Sequence, residues 1–166
     1  MRAWARDRGA PPQDDLVLAQ TTGRVRLLLY HPGMKTNVTI ADRMTKTPHL
    51  IGVEQSMKTA HEVMREHKIR HLPVLHGGKL VGLLSLRDLH LVETLPDVDP
   101  ETVRVEEAMS QEVFAVAPSA PLREVVSEMA ERKLGSAVVV DGTRVVGVFT
   151  TVDALETLAG LLKDPT

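Results

Sequence analysis

The chain contains no cysteine, and only 2% of its 166 residues are aromatic. The lack of cysteine excludes disulfides, thiolate zinc sites, iron–sulfur clusters and a cysteine nucleophile, and it fits a reducing compartment. Hydrophobic residues nevertheless make up 43% of the chain. With so few aromatic rings, the core must be built from Val, Leu, Ala, Ile and Met.

The sequence also lacks a strong excess of either charge and any long apolar run. Its formal net charge of −2 gives no electrostatic case for nucleic acid or an anionic membrane as a partner. No apolar run approaches the roughly 20 residues of a membrane span, and the N-terminus lacks the apolar region of a signal peptide. We therefore expect a cytoplasmic protein, built as one compact domain or as two small repeats that share a core.

A short stretch occurs twice. Residues 82–88, Gly-Leu-Leu-Ser-Leu-Arg-Asp, return 65 positions later at 147–153 as Gly-Val-Phe-Thr-Thr-Val-Asp. In each copy an apolar, β-forming run meets a pattern with helical spacing, which predicts a strand that enters a helix. The hydroxyl of Ser85 or Thr150 would cap that helix, and the Asp three residues later would complete a capping box. The alternative is a ligand site, because a helix N-terminus can hold phosphate.

The repeat is longer than this stretch, since residues 44–89 align with 109–154 without a gap. The pattern predicts the order β-α-β-β-α in each unit, and Ser119 is a plausible N-cap for the first helix of the second unit. In the first unit the predicted segments are 49–53, a helix with apolar positions from Met57 to Met64, strands 72–75 and 80–84, and a helix from about 86 to 95. In the second unit they are 114–117, a helix with apolar positions from Leu122 to Ala130, strands 137–140 and 145–149, and a helix from about 151 to 162. Turns with Gly77 and Gly142 favour a hairpin between the paired strands. One unit is too small to bury its own sheet, so we predict an α/β (α+β) fold in which two units pack sheet to sheet.

The N-terminal region does not belong to the repeat. We interpret residues 1–15 as a mobile tail that is dispensable for the fold and 25–30 as a possible extra strand, and Met34 is an alternative start of the protein. The domain boundaries are therefore 1–39 for the tail and possible strand, 40–97 for the first repeat and 98–166 for the second.

Several motifs of this repeat resemble those of the cystathionine-β-synthase (CBS) domain. They are the Met-Thr and Met-Ser openings at 44–45 and 109–110, the His-Leu-Pro-Val sequence at 71–74, and Gly-x-x-Ser/Thr-x-x-Asp at 82–88 and 147–153. Two such domains in tandem resemble a Bateman module. The resemblance covers roughly residues 40–162 and implies a pseudo-two-fold pair.

The resemblance implies that adenosyl ligands, such as AMP, ADP, ATP or S-adenosylmethionine, bind in clefts between the two repeats, with no required cofactor. In that family the Asp of the motif holds the ribose hydroxyls, and the other repeat completes the cleft. Carried over by position, one cleft has Thr150 and Asp153 facing His49, Leu50, Ile69, Arg70 and His71. The other has Ser85, Arg87 and Asp88 facing Phe114, Ala115, Leu134, Gly135 and Ser136.

The two implied clefts differ in charge. The Asp153 cleft gathers Arg70 and His71, whereas the Asp88 cleft has Arg87 as its cation. We therefore predict that the Asp153 cleft takes a phosphorylated adenosyl ligand, and that binding strengthens as protonation charges His71.

Other chemistry has little support in the sequence. His67 and His71 are four residues apart, but no third ligand with metal-site spacing accompanies them. The sequence His-Glu-Val-Met-Arg at 61–65 lacks the second His of a zinc-protease helix. We find no nucleophile with an adjacent base and no phosphate loop, and we assign no catalytic residue. Three functions remain open: a stand-alone ligand sensor that regulates an unknown partner protein, which we favour, an interaction scaffold that has lost its ligand, and a small enzyme acting on a bound nucleotide.

The second helix of each repeat carries more apolar positions than one sheet can cover. These positions are Leu89, Leu91, Val92 and Leu95 in the first repeat and Ala154, Leu155, Leu158, Leu161 and Leu162 in the second. Excess apolar surface usually marks an interface. Since such helices pair two modules into a disc in the family that the chain resembles, we predict a homodimer.

Overall fold

A computed structural model describes residues 25–28, 38–96 and 99–162. The predicted mobile tail at 1–15 and the alternative start at Met34 lie outside the described residues. The strands are β1 Val25–Leu28, β2 Thr45–Lys46, β3 Ile51–Gly52, β4 His71–His76, β5 Lys79–Ser85, β6 Val113–Val116, β7 Ser136–Asp141 and β8 Arg144–Thr150. The helices are α1 Met57–His67, α2 Leu86–Glu93, α3 Val105–Ala108, α4 Leu122–Arg132 and α5 Thr151–Leu161, with a 3-10 turn at Ile40–Asp42.

The strands form two sheets, one for each repeat. The order is β3-β4-β5 in the first sheet and β1-β6-β7-β8-β2 in the second. In each repeat the first two strands are parallel and joined by a helix, and the last two form an antiparallel hairpin. Gly77 and Gly142 have positive φ angles of 55° and 60° in the hairpin turns, a conformation that glycine adopts without steric cost. The predicted β-α-β-β-α order and α/β class are confirmed.

Each sheet has one face on its own helices and one face on the other sheet. In the first repeat Leu72, Val74 and Leu84 are buried against α1 and α2, because alternate residues of a strand point to the same side. Between the sheets, Val113, Val138 and Val145 form a cluster with Leu75, Leu80 and Leu83. The predicted packing of sheet against sheet is therefore present.

The leading segment of each repeat packs on the other repeat. Ile40, at the start of the first repeat, is completely buried in the core of the second, and Val105, near the start of the second repeat, is completely buried in the core of the first. Thr45 pairs with Val148, and Ser110 bridges to Leu83. The two repeats thus exchange their opening segments, which ties them into one unit.

This exchange explains why the predicted N-cap at Ser119 is wrong. The helix α4 begins at Leu122, and Pro121 occupies the N-cap position. The carbonyls of Pro118 and Ala120 accept hydrogen bonds from the backbone N–H groups of Ala41 and Ile40, at 3.2 and 2.9 Å. Residues 118–120 form a turn, in which the N–H of Ala120 donates to the carbonyl of Ala117 at 3.0 Å, and the helix starts after this turn.

The exchange also explains the glycine that opens each repeated motif. A Cβ atom on Gly82 would collide with the side chain of Met109, and one on Gly147 would collide with that of Met44. The two methionines open the leading segments that cross between the repeats. A residue without a side chain is needed on the strand because the methionine lies directly against the backbone.

The chain has an additional strand within the segment 25–30. Strand β1 lies parallel to β6, with Val25 opposite Val113 and Leu28 opposite Val116. The first repeat has no matching strand on β3, among the residues that the structure describes. The outer edge of β6 is therefore covered by β1, whereas no described strand covers the outer edge of β3.

Candidate functional site

The two repeated motifs form the same capping box at the strand-to-helix junction. In the first, the backbone N–H and the hydroxyl of Ser85 donate to Oδ2 of Asp88, at 2.8 and 2.6 Å. In the second, the same groups of Thr150 donate to Oδ2 of Asp153, at 2.6 and 2.7 Å. The hydroxyls in turn accept from the N–H of Asp88 and Asp153 at 3.3 and 3.4 Å. The capping interpretation of the motif is confirmed.

These contacts use most of the N–H groups that a helix start offers to an anion. Besides the groups in the box, the N–H of Leu86 donates to the carbonyl of Arg70, and that of Thr151 donates to the carbonyl of Gly135. Of the four unpaired N–H groups at the start of a helix, three are thus taken in each motif. Within the described residues, only the N–H of the second helical residue stays available, so these helix starts are weak phosphate sites.

Each motif carboxylate retains capacity for a ligand. The hydrogen bonds described for Asp88 and Asp153 all reach Oδ2. A carboxylate has about four acceptor positions on its two oxygens, so Oδ1 can still accept from two hydroxyl groups. Both side chains are partly exposed. Capping and binding of a diol are therefore compatible at the same residue.

His71 lies close to residues that were assigned to the opposite cleft. Its Nε2 is 3.2 Å from the position that a Cβ atom would take on Gly135. Burial lowers the pKa of His71, the Arg70 guanidinium lowers it further, and the Asp88 carboxylate raises it. His71 therefore lies beside residues that were assigned to the Asp88 cleft. Its lowered pKa also means that it enters neither cleft as a cation near neutral pH.

The lowered pKa of His71 predicts a loss of stability in acid. Below the ordinary histidine pKa of about 6.5, the unfolded chain takes up a proton more readily than the folded chain does, so stability falls as pH falls through this window. We expect the thermal midpoint of unfolding to depend less on pH between 7 and 5 in a His71→Gln variant than in the unsubstituted chain. His76→Gln, at an exposed position of the same strand, is the control. Equal pH dependence in all three proteins would contradict the lowered pKa of His71.

Ser136, which follows Gly135, is a buried polar residue whose side chain lacks a hydrogen-bond partner among the described residues. It is only 5% exposed, and no hydrogen bond reaches its Oγ among the described residues. It occupies the position in the second repeat that His71 occupies in the first. A buried hydroxyl that lacks a partner costs roughly 1–3 kcal/mol, so a polar ligand atom or water at this point would be stabilising.

The remaining residues of the two expected clefts differ in exposure. On the first repeat, His49, Leu50 and Arg70 are exposed, and Ile69 packs partly on the core. On the second, Phe114 and Ala115 are buried, Leu134 packs partly on the core, and Gly135 is exposed. Arg87 is exposed on the first turn of α2. The face assigned to the Asp153 cleft is therefore more open to solvent than the face assigned to the Asp88 cleft.

The structure adds residues near Asp153 that sequence reasoning missed. A cavity of about 230 Å³ is lined by Asp42, Arg43, Met44, Asp153, Glu156 and Thr157. The residues expected at 49–50 and 69–71 lie outside its lining. Asp42 and Arg43 precede the gapless repeat at 44–89, so the comparison of the two copies did not include them. They reach α5 through the exchange of leading segments.

A larger cavity, of about 340 Å³, lies on the outer side of α1 and contains none of the motif residues. Two exposed contacts border it. The Lys58 ammonium lies 2.6 Å from the Glu101 carboxylate, and Nδ1 of His61 lies 2.7 Å from the Glu93 carboxylate. Exposed ion pairs of this kind contribute at most about 1 kcal/mol. We interpret this cavity as the groove between α1, α2 and the segment that joins the repeats.

Neither metal ligands nor a membrane span emerge from the described part of the chain. His67 ends α1 and stacks on His49 with ring centroids 3.6 Å apart, whereas His71 lies on β4. Residues 38–96 and 99–162 contain no group of three or more His, Asp or Glu side chains placed to hold a metal ion. None of the described helices has the length and apolar character needed to cross a bilayer.

Comparison with known proteins agrees with this architecture. YhcV of Bacillus subtilis, a CBS domain-containing protein, is 29% identical over 114 residues, which are 69% of this chain and 81% of that protein. Hypoxic response protein 1 of Mycobacterium tuberculosis is 28% identical over 116 residues, with the same coverage of 69% and 81%. The CBS domain pair of protein MJ0100, solved in complex with 5′-methylthioadenosine and S-adenosyl-L-methionine, superposes with a TM-score of 0.67. Its sequence identity is 26%, and the match covers 76% of this chain and 99% of that one.

The family model for the CBS domain matches residues 39–92 and 105–160, which together exceed half of the chain. The two matches coincide with the two exchanged, packed repeats of the structure. The chain therefore belongs to the CBS domain family and carries two CBS domains in tandem.

Proposed function

We propose that this CBS pair is a regulatory module that binds an adenosyl ligand at Asp153 and transmits the bound state to a partner protein. The observation that carries the proposal is the free acceptor capacity of the Asp153 carboxylate, which borders a cavity while its other oxygen holds the cap. A carboxylate that accepts two hydroxyl hydrogens is suited to a ribose diol. Support also comes from the MJ0100 pair, a similar structure that was solved with adenosyl ligands.

The charges near this carboxylate bear on the class of ligand. Asp42, Asp153 and Glu156 line the cavity with Arg43 as their cation. A surrounding with more carboxylates than cations repels a polyphosphate and tolerates a neutral or cationic group. His71 does not add positive charge near neutral pH, and three of the four N–H groups at the start of α5 are occupied. We therefore replace the initial expectation of a phosphorylated ligand by a neutral or cationic adenosyl compound, such as 5′-methylthioadenosine or S-adenosylmethionine.

Calorimetric titration of the purified chain tests this proposal directly. The test compounds share an adenosyl group and differ in charge. They are adenosine, 5′-methylthioadenosine, S-adenosylmethionine, AMP and ATP. We expect saturable binding of the neutral or cationic compounds and weaker binding of ATP, with the difference reduced at high salt because screening weakens the repulsion. Tighter binding of ATP would reject the charge argument, and no binding of any compound would favour the interaction scaffold.

A homodimer is the second part of the proposal. On α5, the exposed fraction is 64% for Leu155, 49% for Leu158 and 76% for Leu161, and on α2 it is 63% for Leu91. The sequence prediction was too broad, because Leu89 is buried in the core and Val92 and Ala154 pack partly on it. The remaining leucines leave exposed apolar surface on α2 and on α5. A second copy of the chain can cover the same surface on both protomers, as in a two-fold dimer.

We expect light scattering to give about twice the chain mass of 18.2 kDa at micromolar concentration. A Leu158→Glu/Leu161→Glu variant should shift to the monomer mass, because the two charges would have to be buried in the interface. Gln111→Glu, at an exposed position away from these helices, should remain dimeric. A monomeric unsubstituted chain would remove this part of the proposal and leave the ligand site untouched.

The regulated protein and the cytoplasmic location remain expectations. Since no catalytic group is assigned to the module, it would regulate by a conformational change that alters its contact with another protein. The alignment with YhcV spans most of that protein, and this supports a CBS pair that acts outside a larger enzyme.

A further inference from the structure

Thr47 has a backbone conformation that no helix end explains. Among the described non-glycine residues, φ is positive at Thr47, Lys68 and Lys133, with angles of 48°, 54° and 55°. Lys68 and Lys133 are equivalent residues of the two repeats, and they are the left-handed C-caps of α1 and α4. This conformation is common at the end of a helix. Thr47 lies outside the described helices, so its positive φ has another cause.

The left-handed conformation is costly at Thr47 for two reasons. Threonine is branched at Cβ, and branched residues are outliers at positive φ. The next residue is Pro48, whose ring favours an extended conformation of the residue before it. The Thr47 side chain is exposed, and its hydroxyl donates to the carbonyl of Lys46 at 2.7 Å. A strained residue of this kind persists only where the surrounding structure holds it.

Thr47 lies where the chain crosses from the second domain to the first. Before it, β2 pairs with β8 of the second sheet, and the N–H of Thr47 itself donates to the carbonyl of Val146 at 3.3 Å. After it, Pro48 leads into β3, which pairs with β4 of the first sheet. The equivalent residue of the second repeat, Glu112, does not have a positive φ. The strain therefore belongs to this crossing and is not required by the fold of a repeat.

The segment that ends at Thr47 also lines the cavity at Asp153. Asp42, Arg43 and Met44 border this cavity, and they precede Thr47 by three to five residues. On the other side of Thr47, β3 begins after four residues. A ligand that displaces the segment at the cavity would therefore act on Thr47 through a short, continuous piece of backbone.

We propose that Thr47 and Pro48 form a strained hinge that carries the bound state of the Asp153 cavity to β3 of the first domain. The unliganded chain holds Thr47 in its costly conformation, and a ligand in the cavity displaces residues 42–44 so that Thr47 relaxes. Relaxation favours the liganded state and moves β3 relative to the second domain. This inference rests on the proposed function, and it names the element through which that site transmits its state.

Thr47→Gly tests the strain, because glycine adopts a positive φ without steric cost. Glu112→Gly is the matched control, since it gives the unfolded chain the same added freedom at an exposed position without positive φ. We expect the thermal midpoint of Thr47→Gly to exceed that of Glu112→Gly by about 2–12 °C. Equal midpoints would show that Thr47 is not strained and would overturn the hinge.

Calorimetry with S-adenosylmethionine and with 5′-methylthioadenosine tests the link to the ligand. Thr47→Gly stabilises the unliganded chain relative to the liganded one, so affinity should fall by about fivefold or more. Glu112→Gly should bind as the unsubstituted chain does. Binding with unchanged affinity in Thr47→Gly would overturn the hinge and leave the proposed function intact. No binding of either probe by any of the three proteins would overturn the proposed function, and with it this inference.

Hydrogen exchange on the unsubstituted chain provides a measurement that needs no variant. Residues 51–53 lie beyond the hinge and outside both expected clefts, and the N–H of Val53 donates to the carbonyl of Leu75 at 3.1 Å. Saturation with a probe that binds should change the exchange rates of these amides by at least about threefold. The same change should be absent in Thr47→Gly. Rates that do not respond in the unsubstituted chain, or an equal response in both proteins, would overturn transmission through Thr47.

Discussion

Asp153→Asn should weaken binding of S-adenosylmethionine or 5′-methylthioadenosine by about 10- to 150-fold, which corresponds to roughly 1.5–3 kcal/mol for a hydrogen bond to a charged group. The side-chain carbonyl of Asn can still accept from the N–H and hydroxyl of Thr150, so the cap is retained. What disappears is the second carboxylate oxygen, which would hold the ribose. Calorimetry gives the change in affinity, and a thermal melt verifies that the fold is unchanged.

The matched variant is Asp88→Asn, since Asp88 has the same capping geometry in the other repeat. We expect it to change the affinity of the first ligand by less than threefold. If Asp88→Asn abolished binding and Asp153→Asn did not, the first ligand would bind at Asp88 and not at Asp153. If neither substitution had an effect, both carboxylates would serve as helix caps only.

Gly147→Ala should destabilise the fold by about 1–3 kcal/mol, the usual cost of forcing extra volume into a packed site. The new methyl group would collide with the side chain of Met44, which lies against the strand and belongs to the exchanged segment. For a chain of this length we expect the thermal midpoint to fall by about 2–12 °C. Gly82→Ala should behave alike, because its methyl group would meet Met109.

Gly160→Ala is the control for this prediction. Gly160 lies near the end of α5, and nothing lies within 4 Å of the position that its Cβ would take. Alanine is favoured over glycine in a helix by up to about 1 kcal/mol, so this variant should be neutral or slightly stabilised. In a Met44→Ala background the cost of Gly147→Ala should shrink, since the colliding side chain is gone. Equal losses at 147 and 160 would indicate a general effect of alanine and would contradict the packing argument.

Features that depend on neighbours in sequence were predictable. Alternation of apolar residues and the Asp141–Gly142 turn indicate the β7–β8 hairpin, which the structure contains in full. The Ser/Thr-x-x-Asp pattern indicates a capping box, and both boxes are formed. The constant offset between two equal patterns indicates that these units pack together as a pair. Each of these predictions requires only the period of a strand or helix and the chemistry of a turn or cap.

Features that join distant residues could not be predicted in the same way. The N-cap at Pro121 depends on bonds from the segment at 38–41, and the cavity at Asp153 depends on Arg43. The position equivalent to Arg43 in the other repeat is Ala108. Comparison of the two copies therefore gave no signal for Arg43.

The sequence by itself determined the two β-α-β-β-α units, their caps and hairpins, and the family to which they belong, because these follow from local periodicity and repeated motifs. Only the tertiary structure decided that the leading segments cross between the units and that His71 lies against Gly135. Only the tertiary structure placed β1 on β6. The physical reason is that two sheets packed face to face bring residues from distant segments together, and local propensity carries no information about which of them meet.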